Sequence, residues 1–142
     1  MPVSGEWVLS QRHNPLKEIS MNASAHNPAH IANQYLAVWN ERDAAERRAR
    51  VARTFSLDAS YVDPMMRGAG HDGIDAMIAG AQGQFPGYRF ELDGTPDGHN
   101  DVVRFSWTLA LPGSAPVAHG TDVAEVGIDG RLTRVTGFLN AV

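Results

Sequence analysis

The chain reads as an α+β domain, on three observations. Ile31, Tyr35, Val38 and Trp39 recur at helical spacing, whereas Val103, Phe105, Trp107 and Leu109 alternate with period two. Helical signals fill the first half and strand signals the second, with one short strand, Asp58 to Pro64, between the helices. Helices segregated early and strands late predict three helices packed on a strongly curved, mainly antiparallel sheet, not alternating βαβ units.

Taken in order, residues 1–25 stand apart. Trp7, Val8, Leu9, Leu16 and Ile19 follow no sustained period, and Pro2, Gly5 and Pro15 interrupt them. This stretch is expected to be a poorly packed arm or tail, with Met21 as an alternative start, and residues 26–142 to be the domain. Asn27-Pro28 is an N-cap followed by proline at the first helical position, so the first helix runs from about Pro28 to Asn40. Asp43 caps a second helix to about Phe55, expected to pack through Ala45, Ala49, Ala52 and Phe55. Arg47, Arg48, Arg50 and Arg53 then form a solvated face.

In the short strand, Ala59, Tyr61 and Asp63 share one face. Pro64 cannot donate to a ladder, so Asp63 sits at the strand's mouth. Residues 65–70 form a loop or brief strand pair that lacks the glycine spacing and lysine of a phosphate loop. A third helix, to about Gln82, presents Ile74, Met77, Ile78 and Ala81. Tyr88 to Leu92 alternates, and turns are expected at Asp93-Gly94 and Pro96-Asp97-Gly98. The strand after Pro112-Gly113 places Ala118, Gly120, Asp122, Ala124 and Val126 on one face and His119, Thr121, Val123 and Glu125 on the other. Asp122 therefore points with small apolar residues. Asp129-Gly130 turns into a last strand ending near Asn140.

Composition narrows the function classes. At 142 residues and 15.4 kDa the chain suits one domain. A net charge of −4 offers no basic field for nucleic acid. The absence of cysteine removes thiol catalysis and thiolate metal sites and fits a cytoplasmic location. No apolar run reaches the ~20 residues of a membrane span. Six histidines show no metal-ligand spacing, so no metal and no cofactor are expected. His119 and Asp122, three apart on a regular strand, face opposite sides and form no dyad unless a bulge intervenes.

Tyr35-Leu36-Ala37-Val38-Trp39-Asn40, followed by Asp43, resembles the first helix of bacterial ketosteroid isomerases. Asp58-Ala59-Ser60-Tyr61-Val62-Asp63-Pro64 is similar to that family's Asp-Ala-x-x-x-Asp-Pro, and Asp122 falls where the family has an oxyanion-hole aspartate. The closing Gly130-Arg131-Leu132-Thr133-Arg134-Val135-Thr136-Gly137-Phe138 resembles the wider SnoaL-like and nuclear transport factor 2-like superfamily. The family's further pocket tyrosine falls on Ile78 here.

The resemblance implies a nuclear transport factor 2-like cone over about Ile31 to Leu139, paired as a homodimer through the outer face of its sheet. It implies Asp63 as a base removing a proton next to a carbonyl, with Tyr35 and a protonated Asp122 donating to the enolate oxygen. Trp39, Tyr61, Met66, Ile78, Phe105, Trp107 and Val135 are expected to line a hydrophobic pocket for a small apolar carbonyl compound. Isomerisation, polyketide cyclase-like aldol closure and elimination share that enolate. The alternative is a non-catalytic small-molecule-binding or dimerisation module of the same fold.

Overall fold

Asn27 opens the first helix by accepting a hydrogen bond from the His30 N–H at 3.1 Å, with Pro28 in the first turn. The computed structural model of the chain describes residues 26–140. The expected arm at 1–25, Met21 included, lies outside the described residues. Helix α1, Pro28–Asn40, is followed by α2, Ala44–Thr54, capped by Asp43, whose carboxylate accepts from the Glu46 N–H at 2.9 Å. Strand β1, Phe55–Val62, leaves α2 directly; β2, Arg67–Ala69, and α3, Gly70–Gln84, follow. The chain then makes β3, Arg89–His99; β4, Val102–Ala110; β5, Ala118–Val126; and β6, Leu132–Leu139.

The strands form one six-stranded sheet in the order β2-β1-β6-β5-β4-β3. All pairings are antiparallel except that of β1 with β6, which is parallel. Tyr35, Trp39, Val103, Phe105, Trp107 and Leu109 are all buried, in one core between the helices and the inner face of the sheet. Asn40 fastens the end of α1 to β3. Its side-chain amide donates to the Phe90 carbonyl at 2.9 Å and accepts from the Phe90 N–H at 2.8 Å, as a neighbouring strand would.

Two local expectations are corrected. Asp93-Gly94 and Pro96-Asp97-Gly98 do not end β3. The register slips between Asp93, opposite Ser106, and Asp97, opposite Arg104, and pairing then resumes. The turn formers make an irregularity that bends the strand, with Gly94 at φ 81°. Asp97 locks the far side by receiving Arg104 through two bonds of 3.1 and 2.7 Å. The reversal comes at Asn100, φ 49°, which tolerates the left-handed region.

The second correction concerns α2. Its buried face is Arg47, Val51 and Thr54, not the alanine row, and Ala45 is exposed. Arg47 is no part of a solvated face. Its Nε donates to Asp75 of α3 at 2.8 Å and its Nη1 to Gln82 at 3.1 Å. Gln82 in turn donates to the carbonyls of Trp39 and Glu41 at 3.0 and 2.8 Å. Pairing makes this burial tolerable and ties the three helices together.

Candidate active site

Asp63 follows the last residue of β1, where Pro64 ends the strand. Its Oδ1 accepts the N–H groups of Met65 and Met66 at 2.7 and 2.9 Å, and its own N–H donates to the Met66 carbonyl at 3.0 Å. This closed turn fixes the carboxylate, whose Oδ2 accepts the Tyr61 hydroxyl at 2.6 Å. Tyr61 and Asp63 meet because residues two apart on a strand share a face.

Asp122 sits in the middle of β5, opposite Phe105 on one side and Gly137 on the other. It is 2% exposed. Tyr35 Oη donates to its Oδ2 at 2.7 Å and Trp107 Nε1 to its Oδ1 at 3.2 Å. Burial pushes the Asp122 carboxyl up to about 6; the two donors pull against that rise, and the charge of Asp63 adds to it. The group is thus protonated below about pH 6, and on the order of one molecule in ten keeps the proton at pH 7. Burial, followed by the charge of Asp122, lifts both Tyr35 and Tyr61 well above the usual phenol range, so both remain O–H donors.

Two glycines make this geometry possible. A Cβ on Gly137 would lie 2.9 Å from Asp122 Oδ1, 3.1 Å from Asp63 Cβ and 3.2 Å from Tyr61 Oη. The Asp122 carboxyl, the Tyr61 phenol and the stem of the Asp63 side chain therefore meet around the space that Gly137 leaves empty. A Cβ on Gly120 would lie 2.1 Å from the Trp107 ring, so the indole that reaches Asp122 lies directly over this glycine.

The convergence occurs at a cavity of about 120 Å³. Tyr35, Trp39, Tyr61, Asp63, Met66, Trp107 and Asp122 line it, joined by Leu36, Met65, Ala81, Phe85, Phe90, Leu109, Ala118 and Leu139. Apart from the two carboxyls and the aromatic N–H and O–H groups, these are apolar side chains.

Three residues expected at the lining are elsewhere. Ile78, Phe105 and Val135 are buried in the core without reaching the cavity. Phe105 stands behind Tyr35, edge to face at 5.1 Å. Val135 pairs with Ala124, and Ile78 lies on the covered side of α3. Face periodicity says that a residue points inward, not whether it meets the open or the filled part of the interior.

Sequence reasoning also missed the Tyr61–Asp63 and Trp107–Asp122 bonds and the two close-approach glycines. The first had a signal in the shared face of residues 61 and 63; the others depend on cross-strand register. His119 and Asp122 lie on opposite sides of an unbroken stretch of β5 and do not meet. Among the described residues, no three histidine or acidic side chains are grouped to hold a metal ion.

Comparison with known proteins gives a consistent picture. A family model described as the SnoaL-like domain matches residues 32–135. A proposed isomerase of the SnoaL-like family from Agrobacterium tumefaciens is 49% identical. The match covers 80% of this chain and 97% of that one, with a TM-score of 0.78. A proposed polyketide cyclase from Sinorhizobium meliloti is 25% identical over 76% of this chain and 93% of its own, with a TM-score of 0.57. A proposed ketosteroid isomerase from Kribbella flavida, 22% identical over 80% and 77%, shares the fold at a TM-score of 0.59. No curated protein sequence matches the chain.

Proposed function

The chain belongs to the SnoaL-like domain family, and we propose that it is a cofactor-free small-molecule enzyme that removes a proton next to a carbonyl. The observation that carries this reading is the convergence of Asp63, Asp122 and Tyr61 on the missing Cβ of Gly137, at an otherwise apolar cavity that Tyr35 also lines.

An ionised carboxylate offers about four acceptor sites. Three donors occupy Asp63: two backbone N–H groups and the Tyr61 hydroxyl. The remaining site on Oδ2 takes the substrate proton. The electron pair of the broken C–H bond then moves onto the carbonyl oxygen. Tyr35 and protonated Asp122, which face each other at 2.7 Å, separate to donate to that enolate oxygen. Returning the proton from Asp63 to a different carbon isomerises the substrate. Attack of the enolate carbon on a second carbonyl of the same molecule closes a ring, and the proton held by Asp63 goes to the alkoxide that forms as that carbonyl's π bond breaks.

The test follows hydrogen–deuterium exchange in cyclic enones and 1,3-dicarbonyls. Asp63→Asn preserves shape and removes the base, so exchange is expected to fall by at least about a hundredfold with ligand affinity retained. Equal exchange by the variant and the native protein would discard the mechanism.

One observation favours a second reading, a small-molecule-binding module. Asp63 already has a structural task, because it receives both N–H groups of the loop after β1. In that reading Asp63→Asn lowers thermal stability while exchange stays at the solvent background in both proteins.

The proposed partner is a second copy of the chain. The outer face of β4, β5 and β6 carries half-buried Val102, Ser106, Thr108, His119, Thr121 and Val123, with Arg104 exposed and Phe138 more than half exposed. Such a mixed face suits a symmetric contact. Sedimentation should find a dimer at micromolar concentration, and Phe138→Glu should shift it to monomer.

A further inference from the structure

The Trp39 indole N–H makes no well-formed hydrogen bond at the cavity, although it lies close enough to the Tyr35 hydroxyl to pull against the rise that burial gives that phenol. Its ring is 95% buried and lines the cavity, yet among the described residues its Nε1–H has no hydrogen-bond partner. All other aromatic donors there are committed: Tyr35 and Trp107 to Asp122, Tyr61 to Asp63. A buried N–H left unpaired is costly, and its retention calls for a partner that arrives from elsewhere.

Packing holds the indole in place. Trp39 contacts Tyr35, Tyr61 and Phe90 with ring centroids 6.2, 5.6 and 5.3 Å apart. Gln82 donates to the Trp39 carbonyl, and the next residue, Asn40, is bonded through its side chain to Phe90. Tyr35 lies four residues earlier on the same turn-to-turn row of α1, so phenol and indole are neighbours at the cavity wall.

Resting on the enolate reading above, we propose that the Trp39 Nε1–H is a further substrate-contacting donor. Beside Tyr35, it holds the oxygen of a small planar ligand about the size of one six-membered ring. The ligand size follows from the volume. The cavity encloses about 120 Å³, and an apolar cavity of about 150 Å³ accommodates benzene. A fused polycyclic skeleton exceeds that volume. An oxygen on the ring receives the Trp39 N–H and the Tyr35 O–H together, which gives the orphaned donor its partner only while ligand is bound.

Phenols test this directly, being planar, ring-sized and able to carry an oxyanion; toluene is the control without oxygen. Titration of the full chain with 4-nitrophenol is followed by phenolate absorbance, and the Trp39 indole N–H is followed by ¹H–¹⁵N spectroscopy. The expected result is a downfield shift of that resonance and about tenfold weaker phenolate binding by Trp39→Phe, with toluene affinity reduced less than phenolate affinity. If 4-nitrophenol binds but the resonance stays in place and Trp39→Phe binds it equally, the role of Trp39 is overturned and the enolate reading survives. If neither 4-nitrophenol nor toluene binds the native chain, the cavity reading itself falls, and this inference with it. Should Trp39→Phe fail to fold, the resonance shift in the native protein decides.

Discussion

The hydroxyl of Tyr35 donates to Asp122 across 87 residues of sequence, at 2.7 Å, and so joins the helical layer to the sheet by a buried polar bond. Two inward-facing positions of different period produce it: a helix stripe at Tyr35 and a strand face at Asp122. The partners respond oppositely to pH. Burial keeps the phenol protonated throughout, whereas it brings the carboxyl to about 6, inside the working range of a protein. Below that value the contact holds two O–H groups, and both become available to an oxygen placed between them.

The first consequence is for stability. The native Asp122 carboxyl titrates near 6, against 3.8 when unperturbed, so the folded state holds the proton more tightly. Its contribution is most favourable below pH 3.8 and is lost as pH rises through 6. That gap corresponds to on the order of 3 kcal/mol. Asp122→Asn does not titrate there. Urea unfolding should therefore show the native protein losing about 2 kcal/mol relative to Asp122→Asn between pH 4, where the unfolded carboxyl is already partly ionised, and pH 8. A constant difference across that range would refute the assignment.

The same proton sets the expected activity profile. If the protonated carboxyl donates to the enolate oxygen, kcat/KM, which reports the free enzyme, declines above about pH 6. Asp122→Asn keeps a permanent donor and should flatten that limb at a lower plateau, whereas Asp122→Ala should lose both donor and plateau. Tyr35→Phe should lower the rate by about tenfold or more and leave the limb in place. Exchange rates measured from pH 5 to 8 distinguish these outcomes.

The inward positions of Tyr35, Asp63 and Asp122 were legible because each depends on a local period or on a proline stop. Trp107 and Gly120 were not, since an indole fits over a glycine only once β4 and β5 are aligned, and alignment is set by distant hairpins. Phe105 and Val135 were placed at the lining by face alone, but depth along a strand has no periodic signature. The cavity occupies the end of the cone reached by Trp107, Leu109 and Ala118; Phe105, Ala124 and Val135 fill the other end. Arg47 was misread because charge suggested water, and its partner Asp75 lies on another helix.

That pair supports a prediction away from the site. Arg47 and Asp75 meet at 2.8 Å with side chains only 8% and 15% exposed. Arg47→Met leaves Asp75 without its charge partner in a confined position, and breaking such a pair costs about 3–5 kcal/mol. Asp75→Asn added to Arg47→Met removes the stranded charge and should recover part of the loss. Denaturant midpoints of the two variants measure it, and a double variant less stable than Arg47→Met would contradict the account.

Gly137 gives the sharpest separation of site from scaffold. Its backbone is not in the left-handed region, so alanine introduces no backbone strain; the atoms nearest the added methyl belong to Asp122, Asp63 and Tyr61, at 2.9 to 3.2 Å. These are the groups that the enolate reading requires, and they must spread to admit it. Overpacking of this kind costs about 1–3 kcal/mol, which a well-packed domain survives. Gly137→Ala is therefore expected to fold, to keep its far-ultraviolet spectrum, and to lose at least about tenfold in exchange rate, because misplaced reacting groups lower rates steeply. Gly80→Ala is the control: nothing lies within 4 Å of its new methyl, on the exposed side of α3. Alanine there should raise stability by about 0.5–1 kcal/mol and leave exchange unchanged. Full activity in Gly137→Ala would mean that the meeting of Asp63, Asp122 and Tyr61 around this glycine is incidental to function.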